Sequence, residues 1–222
     1  MNEIIKNGLI LMIYTAVAGL VLGLVYVSTK EAIDKADISA KLRAMVSVLE
    51  DPKSGKPMVP ESKVEEVMRK MGEEKILSET KEGKVYGPIY HFEVDGKEIY
   101  VVVGASPGFG GDVKVMASFV KIDHDFYLNA IEVLDYSQET PGLGAKIGEK
   151  SIQKRFYPIP PEGLRNGVRV NKDAGVSFGN PDELKKKGII MTSDVMTGAT
   201  ITPRAVANAI NLMYHYLKEH AM

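Results

Sequence analysis

Two short segments bring together residue types able to hold a ligand. In Glu139-Thr140-Pro141-Gly142-Leu143-Gly144, a proline and two glycines fix a tight, exposed turn carrying a carboxylate, a hydroxyl and an apolar side chain. The second segment, Asp194-Val-Met-Thr197-Gly198-Ala199-Thr200, runs straight into Thr202-Pro203. That pair is a helix-start signal, with Thr202 expected as the N-cap and Pro203 as the first helical residue. Gly198 and Ala199 strip away side-chain bulk there, so the hydroxyls of Thr197, Thr200 and Thr202 stand beside backbone N–H groups that a helix start leaves outside its own ladder. A phosphate at that point meets unpaired donors and the positive end of the helix dipole, worth about 0.3–1 kcal/mol at an exposed site. By themselves the same residues also describe an ordinary turn and a helix cap built from threonines.

Other chemistries are excluded more firmly. Gly108-Phe-Gly110-Gly111 has the glycines of a dinucleotide loop, but an alternating strand pattern follows where such a loop must open a helix. No G-x-x-x-x-G-K-[ST] phosphate loop occurs, and His91, His124, His215 and His220 show no metal-ligand spacing. With no cysteine in its 222 residues, the chain supports no disulfide, thiolate zinc site or Cys-ligated iron–sulfur cluster. A net charge of −1 leaves no basic surface for nucleic acid.

These segments need a frame, and the hydrophobic patterning supplies one. Val85–Val94 and Glu98–Val103 are rich in strand formers and flank Asp95-Gly96, a short-hairpin signal. Val113, Val115, Ala117 and Phe119 alternate, and Leu128–Leu134 follows a turn at Asp123–Asp125. Helices are expected over Lys30–Leu49, over Glu61–Met71 with Gly72 as stop, and after Thr202, where Val206, Ile210, Met213 and Leu217 share one face. Lys185-Lys186-Lys187 reads as a solvated turn or helix end. The fold class is therefore α+β, an antiparallel sheet flanked by helices.

Ahead of this body, no residue between Lys6 and Lys30 is charged. The apolar run Leu9–Val27 is about the 20 residues that cross a hydrocarbon core. It is too long for the core of a signal peptide and lacks an A-x-A-like exit, so a retained single-pass anchor is expected. Flanking charge alone does not fix the side of the body: a positive-inside count favours the cytoplasm, yet long domains translocate largely regardless. Gly19 and Gly23 are spaced to admit a second helix closely, although glycine is common in such helices. The expected organisation is an anchor over 1–29, a helical connector over 30–72 and an α+β body over 73–222.

In order and spacing, the two segments resemble the FMN-binding domain shared by the G subunit of the Rnf electron-transport complex and the C subunit of the sodium-pumping NADH:quinone reductase. Asp194-x-x-Thr197-Gly198-Ala199-Thr200 matches that family's D-x-x-[ST]-G-A-T, and Glu139–Gly144 matches its E-T-P-G-L-G loop. Gly108-Phe-Gly-Gly111 is similar to its G-Y-G-G turn, with Phe for Tyr, and Ser137 stands where the family often has His. The resemblance implies FMN carried as a phosphoester on Thr200. It further implies flavin contacts from Glu139, Thr140, Gly142, Leu143, Gly144, Asp194, Thr197, Gly198, Ala199 and Thr202. Attachment by a separate flavin transferase using FAD and Mg²⁺, partner subunits in a membrane complex and an extracytoplasmic body are implied as well. The compact body favours the G subunit over the C subunit; a membrane-anchored binding or sensor module is the alternative outside the family.

Overall fold

The computed structural model describes residues 3–70 and 72–221. Met71, expected to end the second helix, lies outside them. The chain divides into two compact units, Met1–Lys41 and Leu42–Met222. The described residues of the first belong to a single helix, α1 (Glu3–Val48), which is long and apolar enough to cross a membrane. Along its apolar run the side chains are uncovered, with Leu11, Leu20 and Val27 all more than half exposed, the surface expected of a helix whose solvent is lipid.

The second unit is built on a five-stranded antiparallel meander in chain order: β1 (Lys75–Thr80), β2 (Gly83–Val94), β3 (Lys97–Pro107), β4 (Asp112–Ile122) and β5 (Asp125–Asp135). Asp95 and Gly96 both take positive φ, 52° and 74°, as the two-residue hairpin turn demands. Pro88 falls where the β2–β3 register shifts, between Tyr86 and Tyr90, so its missing N–H removes no ladder bond there. The α+β expectation and its four strands are borne out. The sequence pattern does not announce β1: five of its six residues are exposed, so no alternation marks it.

Strand alternation gives the sheet two apolar faces. One face buries Val102, Val115, Ala117, Phe119 and Ile131 against the last helix, α6 (Ile201–His220), through Val206, Ile210, Met213 and Leu217. The other buries Phe92, Ile99, Val101, Val103 and Met116 against Met45, Val48 and Leu49 at the end of α1, and against Val64 of α2 (Glu61–Lys70). The end of α1 is also captured by polar groups. Ser118 Oγ and Asn129 Nδ2 donate to the Val48 carbonyl, and Asn129 Nδ2 donates to the Glu50 carbonyl at 2.9 Å, satisfying acceptors that a helix end leaves open.

Between β5 and α6 the chain forms short elements: α3 (Lys150–Gln153), α4 (Pro161–Arg165), α5 (Pro181–Lys186) and the parallel pair β6 (Arg169–Val170) and β7 (Ile189–Ile190). The lysine run closes α5, but Lys185 is half-buried. Its Nζ donates to the Tyr157 carbonyl at 2.7 Å, and burial pushes its pKa down, so it is a packing residue rather than a solvated one.

Candidate functional site

Both sequence segments form the same local structure. The Leu143 N–H donates to the Thr140 carbonyl at 3.1 Å across Pro141-Gly142, and the Ala199 N–H donates to the Met196 carbonyl at 3.2 Å across Thr197-Gly198. Gly142 and Gly198 take φ of 75° and 85° at the third position of these turns, where a side chain is strained and glycine is not. The turns face each other, since a β-carbon on Gly198 would lie 3.8 Å from Leu143 Cδ2.

The helix start differs from expectation. Thr200, not Thr202, is the N-cap of α6, and the first intrahelical bond runs from the Arg204 N–H to the Thr200 carbonyl at 3.3 Å. Pro203 therefore lies third in the helix, within the first turn, where its missing N–H still costs no ladder bond. Thr202 is drawn into the helix because its hydroxyl is needed below it, as a donor to Glu139 Oε2.

Glu139 is only 4% exposed and organises the site. Its Oε1 accepts from the N–H groups of Phe109 at 2.8 Å and Gly110 at 3.3 Å, and its Oε2 accepts from Thr202. One carboxylate thus ties three segments: the Gly108–Gly111 turn between β3 and β4, the Thr140–Leu143 turn and the start of α6. The neighbouring glycines make room for it. A β-carbon on Gly108 would sit 2.3 Å from Oε1, and one on Gly144 would sit 2.3 Å from Oε2 and 2.6 Å from Thr202 Oγ1. Glu139 lines the site, but its oxygens are committed to protein donors.

Thr200 is approached from the other side by a residue the sequence did not single out. Lys172 Nζ donates to Thr200 Oγ1 at 3.0 Å. Lys172 follows β6, and the buried Asn171 fixes its turn. Asn171 Nδ2 donates to the Val176 carbonyl and Ser193 Oγ, both at 2.8 Å, while its Oδ1 accepts from the N–H groups of Thr192 at 3.0 Å and Ser193 at 3.2 Å. Next to it, Asp173 receives Arg204 of α6 through two bonds of 2.6 Å, and that guanidinium holds the carboxyl below its ordinary value. Asp194 is set apart from this cluster, paired with Arg155 Nη1 at 2.7 Å, and the Thr197 hydroxyl donates to the Ser193 carbonyl at 3.2 Å. Of the expected site residues, Glu139, Thr140, Leu143, Gly144, Gly198, Ala199, Thr200 and Thr202 line one cavity of about 290 Å³ with Phe109 and Ile201. Thr197 lines a second, of about 330 Å³, which also includes Lys172, Ser177 and Ser193 and shares Gly198, Ala199 and Thr200 with the first. Asp194 and Gly142 line neither.

Comparison with known proteins gives this geometry a family. Residues 108–215 match the FMN-binding domain and residues 1–48 match the RnfG N-terminal region. The G subunit of the ion-translocating oxidoreductase complex of Vibrio cholerae is 28% identical over 99% of this chain and 93% of its own length. The G subunit of the Na⁺-translocating ferredoxin:NAD⁺ oxidoreductase complex of Acetobacterium woodii is 29% identical over 94% and 89%. A crystal structure from Thermotoga maritima, described as an RnfG subunit of an electron transport complex, superposes with a TM-score of 0.71 at 49% identity, covering 83% of this chain and 99% of that one. With both its N-terminal helix and its flavin-domain turns matched, the chain belongs to the RnfG family of FMN-binding-domain proteins.

Proposed function

We propose that this chain is the electron-carrying G subunit of a membrane electron-transport complex, and that it holds FMN covalently through a phosphoester on Thr200. The observation that carries the reading is the setting of Thr200: the last residue of the matched motif, at the cap of α6, shared by two adjoining cavities and touched by an ammonium group. The residues present fit FMN. Ligand clefts of about 300–1,000 Å³ are typical, and the two cavities together fall in that range. They also differ in character as the two ends of FMN do. One has Lys172, Ser177, Ser193, Thr197 and the Thr200 hydroxyl for a phosphate and a polyol; the other has Phe109, Leu143 and Ile201, all partly exposed and apolar, for an aromatic ring.

Bound FMN supplies the redox chemistry, taking up and releasing electrons singly or in pairs. The chain supplies attachment, orientation and water exclusion. Thr200 would carry the ester, and the amides that open α6 would serve as donors to its phosphate. Glu139 holds the two turns and the helix start in register, and Asp194 acts through Arg155, bracing the motif loop rather than touching the flavin. A tether suits an extracytoplasmic body, where no free FMN pool would keep a dissociable site filled by mass action. On this reading residues 1–29 anchor the chain in the cell membrane, 30–72 connect, and 73–222 carry the flavin. A flavin transferase using FAD and Mg²⁺ installs it. Other subunits oxidise ferredoxin or NADH and couple electron flow to ion movement, since the chain is not catalytic alone. The match of residues 1–48 to the RnfG N-terminal region favours this subunit over the C subunit of the quinone reductase.

The test is covalent flavin on a denaturing gel after expression with a flavin transferase. Wild type is expected to fluoresce and to gain the mass of one FMN, and Thr200→Val to do neither while melting at the same temperature. A dark wild-type band, or a fluorescent Thr200→Val, overturns the assignment.

A further inference from the structure

We propose that Lys172 is the residue that readies Thr200 for esterification and then holds the phosphodiester; the inference rests on the covalent reading above. The contact is direct, 3.0 Å from Lys172 Nζ to Thr200 Oγ1. It is also built rather than incidental, because the backbone on either side of Lys172 is fixed. Asn171, 1% exposed, spends four side-chain hydrogen bonds tying the turn to Val176, Thr192 and Ser193, and Asp173 is locked to Arg204 one turn into α6. The Asp173–Arg204 pair has an electrostatic consequence as well. The carboxylate adjacent in sequence is turned to the helix, so that Lys172 acts on it through space while forming no ion pair with it, and the Lys172 ammonium makes its hydrogen bond to Thr200.

In the transfer, the Thr200 oxygen forms a bond to the flavin-side phosphorus of FAD. The bond from that phosphorus to the bridging pyrophosphate oxygen breaks, AMP leaves with that oxygen, and the hydroxyl proton passes to a base and then to water. No electrons change hands. An ammonium that donates to Oγ1 occupies one lone pair, leaves the hydroxyl proton free to depart, and offsets the negative charge that appears on Oγ1 as that proton leaves. Once esterified, Oγ1 is a poor acceptor, and the same ammonium is one short step from a non-bridging oxygen of the product's singly charged phosphodiester.

The experiment follows the initial rate of covalent flavin incorporation, by in-gel fluorescence and intact mass. It uses the full chain in detergent with a flavin transferase, FAD and Mg²⁺, over a range of acceptor concentrations. Charged hydrogen bonds of this kind predict that Lys172→Met loses about ten- to a hundred-fold in kcat while KM for the acceptor stays within about threefold. Lys172→Arg, which keeps the charge, is expected to recover most of the rate, and both variants to melt like wild type. Lys172→Met labelled at the wild-type rate overturns the proposal. So does a loss confined to KM, or one that Lys172→Arg shares with a lowered melting temperature. If wild type itself takes up no flavin, the Thr200 reading fails and this one with it, whereas a labelled wild type with an equally labelled Lys172→Met removes only the role of Lys172.

Discussion

At the scale of single residues, the site depends on a carboxylate whose oxygens are committed to protein donors. Glu139 answers two backbone N–H groups and one hydroxyl from a position that water barely enters. Removing it leaves the buried Thr202 hydroxyl without its acceptor, at about 1–3 kcal/mol, and frees the two amides of the more exposed Phe109–Gly110 turn at a smaller cost. Glu139→Ala should therefore lower unfolding stability by about 2–4 kcal/mol in urea titrations, and Glu139→Gln, which keeps an oxygen for the amides and offers an N–H₂ group to Thr202, by less than about 1.5. The glycines separate by the same logic. Gly144→Ala pushes a methyl into both Glu139 Oε2 and Thr202 Oγ1 and should mimic Glu139→Ala, whereas Gly142→Ala meets open space and costs only the strain of its positive φ, about 1 kcal/mol. If Gly142→Ala proves the more damaging, the buried knot is not what holds the turns. Sequence made Glu139 visible through its motif but not the three protein donors it accepts from, since nothing in a linear string says which way a carboxylate points. Lys172 and Asn171 were invisible for a different reason. Lys172 lies 28 residues from Thr200, and in sequence Asn171-Lys172-Asp173 is an ordinary polar turn. The one local signal is an Asn that ends a strand and begins a glycine-containing turn.

At the scale of elements, α6 is what both turns are mounted on, and it is pinned at its far end too. Asp125, at the start of β5, accepts from the Tyr214 hydroxyl at 2.8 Å, from Arg165 Nη1 at 2.6 Å and from the Phe126 N–H at 2.9 Å. Burial alone would raise its pKa, but the Phe126, Tyr214 and Arg165 hydrogen bonds outweigh it, so the net displacement is downward from 3.8. A carboxyl whose folded pKa is depressed contributes stability that is complete above its unfolded value and is lost as pH falls through the folded one. Asp125→Asn should thus cost about 1–3 kcal/mol at neutral pH, with the gap from wild type closing below about pH 4, read as urea midpoints against pH. A gap independent of pH would assign the loss to packing instead. The elements most legible in sequence were those with one buried face: the hairpin at Asp95-Gly96, the alternation from Val113 to Phe119 and the α6 stripe ending at Leu217. β1 was hidden because an exposed edge has no alternation to show. The cap of α6 moved from Thr202 to Thr200 because a buried side-chain bond to Glu139 outweighed the local N-cap preference, a tertiary demand that no local rule contains.

At the scale of the whole molecule, the boundary between anchor and body can be located by what each buries. Ala44, Met45, Val48 and Leu49 are buried in the core on the second face of the sheet, with Val59. A chain starting at Leu42 keeps them, while one starting at Pro60 exposes the apolar face they cover. Burying a side chain the size of Val, Leu or Met is worth about 1.5–3 kcal/mol, and a domain has only about 5–15 kcal/mol in all. The 42–222 fragment should therefore be water-soluble, fold cooperatively and accept flavin on Thr200, whereas 60–222 should aggregate; equal behaviour of the two, by thermal melting and gel filtration, would show the second face to be dispensable. The side of the membrane follows from a different experiment on the intact chain. Because the protein has no cysteine, Glu61→Cys on the exposed first turn of α2 gives one reporter. A membrane-impermeant maleimide should label it in intact cells, or in spheroplasts where an outer membrane intervenes. Labelling only after lysis would put the body in the cytoplasm, where free FMN is replenished, and the mass-action reason for a covalent tether would no longer hold.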